Sequence, residues 1–228
     1  RLRTRKKPVL EDSGLQLDVA EAIQWRLTRE PRPMFRRDFR HTGFDCAVVV
    51  DCSGSMTPVQ DTIAYTANLM FQSFLKLPGV TSRFFGFGEQ AFGGPRLMAW
   101  EYDGAPGAIK ALGGTPMYPA VDLAARYLLG RATPYRHLIL LTDGEPTAYP
   151  GCTNNTKHIA QIEQVLLQCS QAGIGYTGCF MSTFGEEPPK AMKHLLPIRL
   201  NKQDLQKGLR DLALHMIQSY YRRVARVE

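Results

Sequence analysis

Short apolar runs alternate with amphipathic stretches along most of the chain, and this alternation predicts strands and helices in turn. The apolar runs that predict buried strands are 45–51, 80–87, 137–142 and 174–181. Apolar residues recur at helical spacing in 58–77, 119–129 and 157–172. Because continuous apolar strands joined by helices form βαβ units, we expect a doubly wound α/β fold with a mostly parallel sheet and helices on both faces.

Shorter patterns extend this domain. Residues 97–100 follow a Gly-Gly-Pro sequence and predict an antiparallel edge strand. The other predicted elements are short helices at 105–112 and 188–195, a brief strand at 198–200 and a last helix over 202–224. Together the elements assign residues 43–228 to one α/β domain.

Residues 1–42 predict a basic lead-in segment before that domain. Residues 1–14 are polar and basic, which indicates a linker, and near-helical apolar spacing predicts one helix in 15–27. Pro31 and Pro33 end that helix, because proline excludes the helical region for the residue before it. We expect this helix to pack on the main domain.

Composition and charge narrow the classes of function. Of the 228 residues, 44% are hydrophobic and 21% are charged, which is ordinary for a globular domain. No apolar stretch approaches the ~20 residues that span a bilayer. The net charge of +7 comes from basic clusters near the chain ends, with no nucleic-acid motif, so nucleic acid is not the expected partner.

The cysteines and the first residues indicate the compartment and the context. The five cysteines form no C-x-x-C pair, which predicts reduced thiols in a cytoplasmic protein. The chain begins at Arg1 and carries no signal-peptide pattern, so we expect a segment of a longer protein.

The first candidate for chemistry lies where the apolar run 45–51 ends. Asp51, Ser53 and Ser55 place a carboxylate and two hydroxyls at alternating positions of one turn. Oxygen ligands of this kind suit a hard cation such as Mg²⁺, and the carboxyl edge of an open α/β sheet is where ligands bind. A turn rich in Ser and Gly that caps the next helix would look the same, so this stretch alone leaves both interpretations open.

Two other loops supply oxygen side chains at the same predicted edge. Asp143 follows the apolar run 137–142, with Glu145 nearby, and Thr115 precedes the helix predicted at 119–129. In a doubly wound sheet the first and fourth core strands flank the switch point, so their carboxyl ends are neighbours. We therefore expect two carboxylates and three hydroxyls to converge. A divalent ion held by them would lack a ligand and would accept an external carboxylate.

These residues resemble the metal-ion-dependent adhesion site of von Willebrand factor A (VWA) domains. The resemblance covers residues 43–225 and implies a Rossmann-like VWA fold. The three parts of the motif occur in the expected order, as Asp51-x-Ser53-x-Ser55, Gly114-Thr115-Pro116 and Thr142-Asp143-Gly144.

The resemblance also implies a role for each oxygen side chain. Ser53, Ser55 and Thr115 would coordinate Mg²⁺, or alternatively Mn²⁺, directly or nearly so. Asp51 and Asp143 would act through metal-bound waters and hold the hydroxyls in place. An Asp or Glu of a client protein would complete the octahedron.

A second resemblance concerns the subfamily. Residues 14–18 and 29–35 are similar to the segment before the adhesion-site domain in bacterial NorD/CbbO-type proteins. Those adaptors work with a MoxR-type AAA+ ATPase to remodel a target such as Rubisco or nitric-oxide reductase. The resemblance therefore implies a non-catalytic adaptor domain whose ATPase activity lies in a partner chain. The CobT-like subunit of a metal chelatase is the alternative within the same group.

Enzymatic and extracellular alternatives fit the sequence less well. A phosphatase could use Asp51 as nucleophile, but such sites commonly carry a second Asp two residues on, where Ser53 stands. Serine-hydrolase and nucleotide-binding motifs are incomplete. An extracellular adhesion module is disfavoured by unpaired cysteines and the basic start. The scattered histidines are expected to be surface or satisfied core residues, and the loop 149–155 can border the metal site.

Overall fold

The structure is a computed structural model that describes eleven stretches of the chain. These are residues 9–11, 16–17, 35–37, 43–76, 80–90, 97–102, 113–183, 185–204, 207–208, 211–212 and 215. The chain divides into two compact units, residues 1–41 and residues 42–228.

The described part of the first unit is a small antiparallel sheet. Its strands are β1 (Val9–Glu11), β2 (Gln16–Leu17) and β3 (Phe35–Arg37). They pair in the order β1-β3-β2. The linker predicted over 1–14 thus contains a strand, and the helix predicted over 15–27 has a strand near its start. Pairing with both edges of β3 overrides the local helical spacing there, and the remainder of that helix, residues 18–27, lies outside the described residues.

The second unit is built on a six-stranded sheet. Its strands are β4 (Phe44–Asp51), β5 (Val80–Gln90), β6 (Leu97–Tyr102), β7 (Tyr135–Thr142), β8 (Ile174–Ser182) and β9 (Ile198–Asn201). They lie in the order β6-β5-β4-β7-β8-β9, which is the doubly wound order with β4 as the first core strand. Only β6 pairs antiparallel, at the edge beside β5. The predicted fold class is therefore confirmed.

Helices cover both faces of this sheet. A 3-10 helix at Gly54–Val59 continues into α1 (Gln60–Lys76), and the other long helices are α2 (Met117–Leu129) and α3 (Asn155–Gln171). Strand β4 alternates between the two cores. Its Val48 and Val50 belong to the core that includes Ile63 of α1, whereas Ala47 and Val49 belong to the core formed with α2 and α3.

The end of the chain departs from the prediction. The helix predicted over 188–195 is reduced to a 3-10 helix at Lys190–Met192. Pro197 limits its extension, because proline excludes the helical region for the residue before it and supplies no backbone N–H. The last predicted helix begins with a 3-10 helix at Lys202–Asp204, followed by helical residues among 207–215, and the rest lies outside the described residues. The predicted helix 105–112 also lies outside them.

Two predictions about composition can be compared with the described residues. All five cysteines are free and buried, as expected of reduced core thiols. No helix in the described stretches is long and apolar enough to cross a membrane.

Candidate metal centre

The sheet order brings the ends of two central strands together. Strand β4 pairs in parallel with β7, with Val50 beside Leu141, so the two strands end at the same edge. The chain leaves β4 towards β5 on one side and returns in β7 on the other. This edge is consequently the switch point of the sheet, where a crevice for ligands opens.

Asp51 is the buried end of this site. Its side chain is 0% exposed, and both carboxylate oxygens accept hydrogen bonds. The backbone N–H of Ser53 donates to Oδ1 at 2.8 Å, and the Thr142 hydroxyl donates to Oδ2. The turn is also tied to β5, because the Cys52 N–H donates to the carbonyl oxygen of Phe87 at 2.8 Å. The carboxylate is thus bonded directly by β7, and the turn that follows it is bonded to β5.

The two serines connect the turn after β4 to the loop after β7. The hydroxyls of Ser53 and Ser55 lie 3.0 Å apart, and Ser55 donates to Oδ1 of Asp143 at 2.9 Å. Ser53 is buried, whereas Ser55 is exposed and Asp143 is partly exposed. Four of the five predicted metal-site residues therefore form one hydrogen-bonded series, with its polar atoms open to solvent at one end.

Thr115 reaches the same edge through its backbone. The N–H of Gly54 donates to the carbonyl oxygen of Gly113 at 2.8 Å, which places the segment before α2 against the Asp51–Ser55 turn. Thr115 is 5% exposed, and its N–H donates to the Thr147 hydroxyl at 2.7 Å. The fifth predicted residue therefore lies in a segment that contacts the turn carrying the others.

Gly113 is required for this approach. Its φ is +69°, a backbone conformation that residues with a Cβ adopt rarely. A Cβ added at this position would lie 2.3 Å from Cβ of Glu89. A larger residue there would displace the segment that carries Thr115.

The surroundings of Asp51 and Asp143 raise the pKa of both carboxyl groups. Burial raises the pKa of Asp51 to about 7 and outweighs the hydrogen bonds from Ser53 and Thr142, which act to lower it. Burial likewise raises the pKa of Asp143, and the charge of Asp143 adds to the effect on Asp51. A divalent cation at this point would favour the ionised form of both groups.

The donor set fits a hard cation. Carboxylate and hydroxyl oxygens are ligands that Mg²⁺ and Mn²⁺ accept, whereas softer ions favour Cys and His. The described residues contain no group of three or more His, Cys, Asp or Glu side chains that could hold a metal ion by themselves. A cation at this edge would therefore need the hydroxyls as well, and metal binding itself stays a prediction.

Three supporting residues were not among the five predicted site residues. Thr142 bonds Asp51, Thr147 bonds the backbone of Thr115, and His158 bonds the carbonyl oxygen of Thr147. Thr142 lies within the motif Thr142-Asp143-Gly144, so its hydroxyl at the end of the strand could have been assigned to the site. Thr147 and His158 contact residues distant in sequence, so no local pattern indicates them. His158 is buried and doubly hydrogen-bonded, in agreement with its expected place as a satisfied core residue.

Comparisons with known proteins concern the fold. No family model matches the chain, and no curated protein matches it either. Among solved structures, the pilus adhesin SpaC from Lactobacillus rhamnosus GG has a TM-score of 0.54 at 13% identity, over 78% of this chain and 30% of SpaC. The minor pilin PilB from Streptococcus sanguinis has a TM-score of 0.53 at 12% identity, over 78% of this chain and 61% of PilB.

A third similar structure is the ArnB paralog VWA2 from Sulfolobus acidocaldarius. Its TM-score is 0.42 at 17% identity, over 73% of this chain and 43% of VWA2. The matches to SpaC and PilB are a likeness of fold alone, and this chain spans less than two thirds of either protein.

Proposed function

We propose that residues 43–228 form a Mg²⁺-dependent protein-recognition domain that captures an acidic side chain of a client. The observation that carries this proposal is the hydrogen-bonded series from buried Asp51 through Ser53 and Ser55 to Asp143. Its solvent-facing end, at exposed Ser55 and partly exposed Asp143, supplies oxygens that a ligand from outside the chain can approach.

Each residue then has a distinct task. The hydroxyls of Ser53, Ser55 and Thr115 would hold the ion. Asp51 and Asp143 would accept hydrogen bonds from the groups that surround it and balance its charge. When bound, the ion supplies a positive centre with an open coordination position, and an Asp or Glu of the client is the ligand that such a hard cation prefers.

We further propose an adaptor role of the NorD/CbbO type. In that role the domain directs a MoxR-type AAA+ ATPase to a target enzyme such as Rubisco or nitric-oxide reductase, and the domain itself is not an enzyme. The alternative in the same group is the CobT-like subunit of a metal chelatase. A Mg²⁺-dependent phosphatase that uses Asp51 as nucleophile is a weaker candidate, because Ser53 stands where such enzymes commonly have a second Asp.

A surface adhesion module is a second candidate in the binding class. The fold likeness to a pilus adhesin and a minor pilin favours it. Both candidates use the same metal-dependent capture of a ligand, and they differ in the client. Pull-down with the intact protein, in Mg²⁺ and in EDTA, separates them by whether a MoxR-type ATPase and its target enzyme are recovered together.

Metal binding is tested by titrating the protein with Mn²⁺ and measuring free ion by electron paramagnetic resonance. The wild type should bind one Mn²⁺, Ser55→Ala should weaken binding, and the matched control Ser170→Ala on the exposed surface of α3 should not. Acetate, as the simplest external carboxylate, should tighten Mn²⁺ binding by the wild type. Absence of Mn²⁺ binding would refute the metal site, and bound Mn²⁺ that ignores acetate would refute carboxylate capture.

The enzymatic alternative has its own measurement. Hydrolysis of p-nitrophenyl phosphate by the wild type that disappears in Asp51→Asn would favour the phosphatase over the recognition domain.

A further inference from the structure

His158 joins two segments that flank the candidate metal centre. It lies in the first turn of α3 with its side chain fully buried. The backbone N–H of Tyr118 donates to Nε2 at 3.0 Å, so Nε2 carries no proton. The neutral ring then has its proton on Nδ1, which donates to the carbonyl oxygen of Thr147 at 2.9 Å. Both ring nitrogens of His158 are therefore hydrogen-bonded to backbone groups.

Both partners of the imidazole are linked to Thr115, Tyr118 by following it three residues later in the chain and Thr147 by hydrogen bonds. Tyr118 is in the first turn of α2, where backbone N–H groups lack an acceptor within the helix. Thr147 exchanges two hydrogen bonds with Thr115. The Thr115 N–H donates to the Thr147 hydroxyl at 2.7 Å, and the Thr147 N–H donates to the Thr115 carbonyl oxygen at 3.1 Å.

From this arrangement we propose that His158 is a positioning residue for the metal centre. Its imidazole holds Thr147, in the loop between β7 and α3, against Thr115, and so fixes the position of the Thr115 hydroxyl at the metal centre. This inference rests on the proposed function, because it assigns Thr115 to the metal.

The bond to Thr147 is the one that matters for the site. Tyr118 belongs to a helix that is anchored by buried residues such as Met117, Ala120 and Val121. Thr147 is exposed and lies in a loop without regular secondary structure. The helix can keep its place without the imidazole, whereas the loop loses a contact that holds it beside Thr115.

Packing fixes the orientation of the ring. The ring of Tyr149 meets the imidazole edge-on with centroids 4.8 Å apart, and it stacks on Tyr118 at 6.4 Å. The Tyr149 hydroxyl donates to Gln161 at 3.2 Å on the same helix as His158. The loop 149–155, which was predicted to border the metal site, therefore supports it indirectly, because its Tyr149 holds the ring of His158 in place.

Two substitutions separate positioning from plain stabilisation. In His158→Asn the amide nitrogen can replace Nδ1 and keep the bond to Thr147. In His158→Gln the amide oxygen can replace Nε2 and keep only the bond from Tyr118. Each variant loses one hydrogen bond, so both should lose similar stability against urea. Only the Gln variant should lose Mn²⁺ affinity, by roughly 3- to 10-fold, the factor expected for one hydrogen bond.

The control is His137→Asn in β7. His137 is also buried and bonded to a threonine, with its ring nitrogen 2.8 Å from the Thr177 hydroxyl, but it lies near the start of the strand, away from the site. Its substitution should lower stability and leave Mn²⁺ affinity unchanged. Thr147→Val, in an exposed loop, removes the acceptor of the Thr115 N–H without entering the core and should weaken Mn²⁺ binding as His158→Gln does.

The outcomes distinguish the two proposals. A wild type that binds no Mn²⁺ overturns the metal site and this inference with it. A wild type that binds Mn²⁺, with equal affinity in His158→Asn and His158→Gln, overturns the positioning role alone. Unchanged Mn²⁺ binding in Thr147→Val also overturns it, and that measurement decides the question if the His158 variants do not fold.

Discussion

Replacement of Asp51 by Asn separates the stability of the fold from the function of the site. The raised pKa of Asp51, about 7 against an ordinary value of 3.8, means that the folded state binds more protons than the unfolded state between those values. The carboxylate therefore lowers the stability of the metal-free protein as pH rises through this window. Asn has nearly the same shape and no charge to bury.

The magnitude follows from the shift in pKa. About three pKa units correspond to at most ~4 kcal/mol of penalty on the ionised carboxylate at pH 8. Asn keeps an oxygen for the Ser53 N–H, and its amide can donate to Thr142, whose hydroxyl can rotate to accept. The loss of the charged acceptor costs about 1 kcal/mol. We expect Asp51→Asn to stabilise the metal-free protein by about 1–3 kcal/mol at pH 8, and by less at pH 5.

The assay is urea denaturation at pH 8 and pH 5, in EDTA and in excess Mg²⁺. Mg²⁺ should stabilise the wild type by mass action and leave the stability of Asp51→Asn unchanged. The difference in free energy of unfolding between the two proteins should therefore narrow or change sign. The control is Asp122→Asn, which removes the charge from an i,i+4 ion pair with Arg126 at 2.8 Å on α2 and should cost only about 0.3–0.5 kcal/mol under all conditions. If Asp51→Asn is less stable than the wild type in EDTA at pH 8, the electrostatic argument is wrong.

Three further predictions concern the supports of the site. Thr142→Val removes a donor to the buried carboxylate and should cost roughly 1–3 kcal/mol in urea denaturation at pH 8; an unchanged midpoint would contradict this. Gly113→Ala meets a positive φ and the side chain of Glu89, so it should cost roughly 1–3 kcal/mol, whereas Gly144→Ala, with nothing within 4 Å of its Cβ, should cost far less by the same measurement. Burial lowers the pKa of His158, so its contribution to stability is present above pH ~6.5 and is lost as pH falls below that value. Urea midpoints of the wild type should therefore drop more between pH 7.5 and 5.5 than those of His158→Asn, and parallel drops would refute this.

The central sheet and its carboxyl edge were predictable because their signals are local. Strand β4 is buried at seven of its eight positions, and its sequence is continuously apolar from Cys46 to Val50, directly before Asp51. The same holds at the end of β7, where Asp143 follows an apolar run. Once β4 and β7 are neighbours, two polar turns that look unremarkable alone must meet.

The supports of the site were not predictable in the same way. His158 lies 40 residues from Tyr118 and 11 from Thr147, and Thr147 lies 32 from Thr115. Contacts of this kind depend on where α2 and α3 pack, which no periodicity reports. The short strands β1, β2 and β3 were missed for a related reason, because their pairing joins segments with no alternating pattern of their own.

The two ends of β4 explain why we expect an external cation at one edge of the sheet. Asp45 and Asp51 are both 0% exposed, on the same strand. Asp45 forms an ion pair with Arg131, whose Nε lies 3.0 Å from its carboxylate, and it also accepts a hydrogen bond from the Thr133 hydroxyl. The hydrogen-bond donors to Asp51 in the described residues are neutral, a backbone N–H and a hydroxyl. A buried carboxylate without a counter-ion is unfavourable, so ionised Asp51 lowers the stability of the folded protein. A divalent ion bound beside it would remove this penalty, and the free energy recovered would favour binding of the ion.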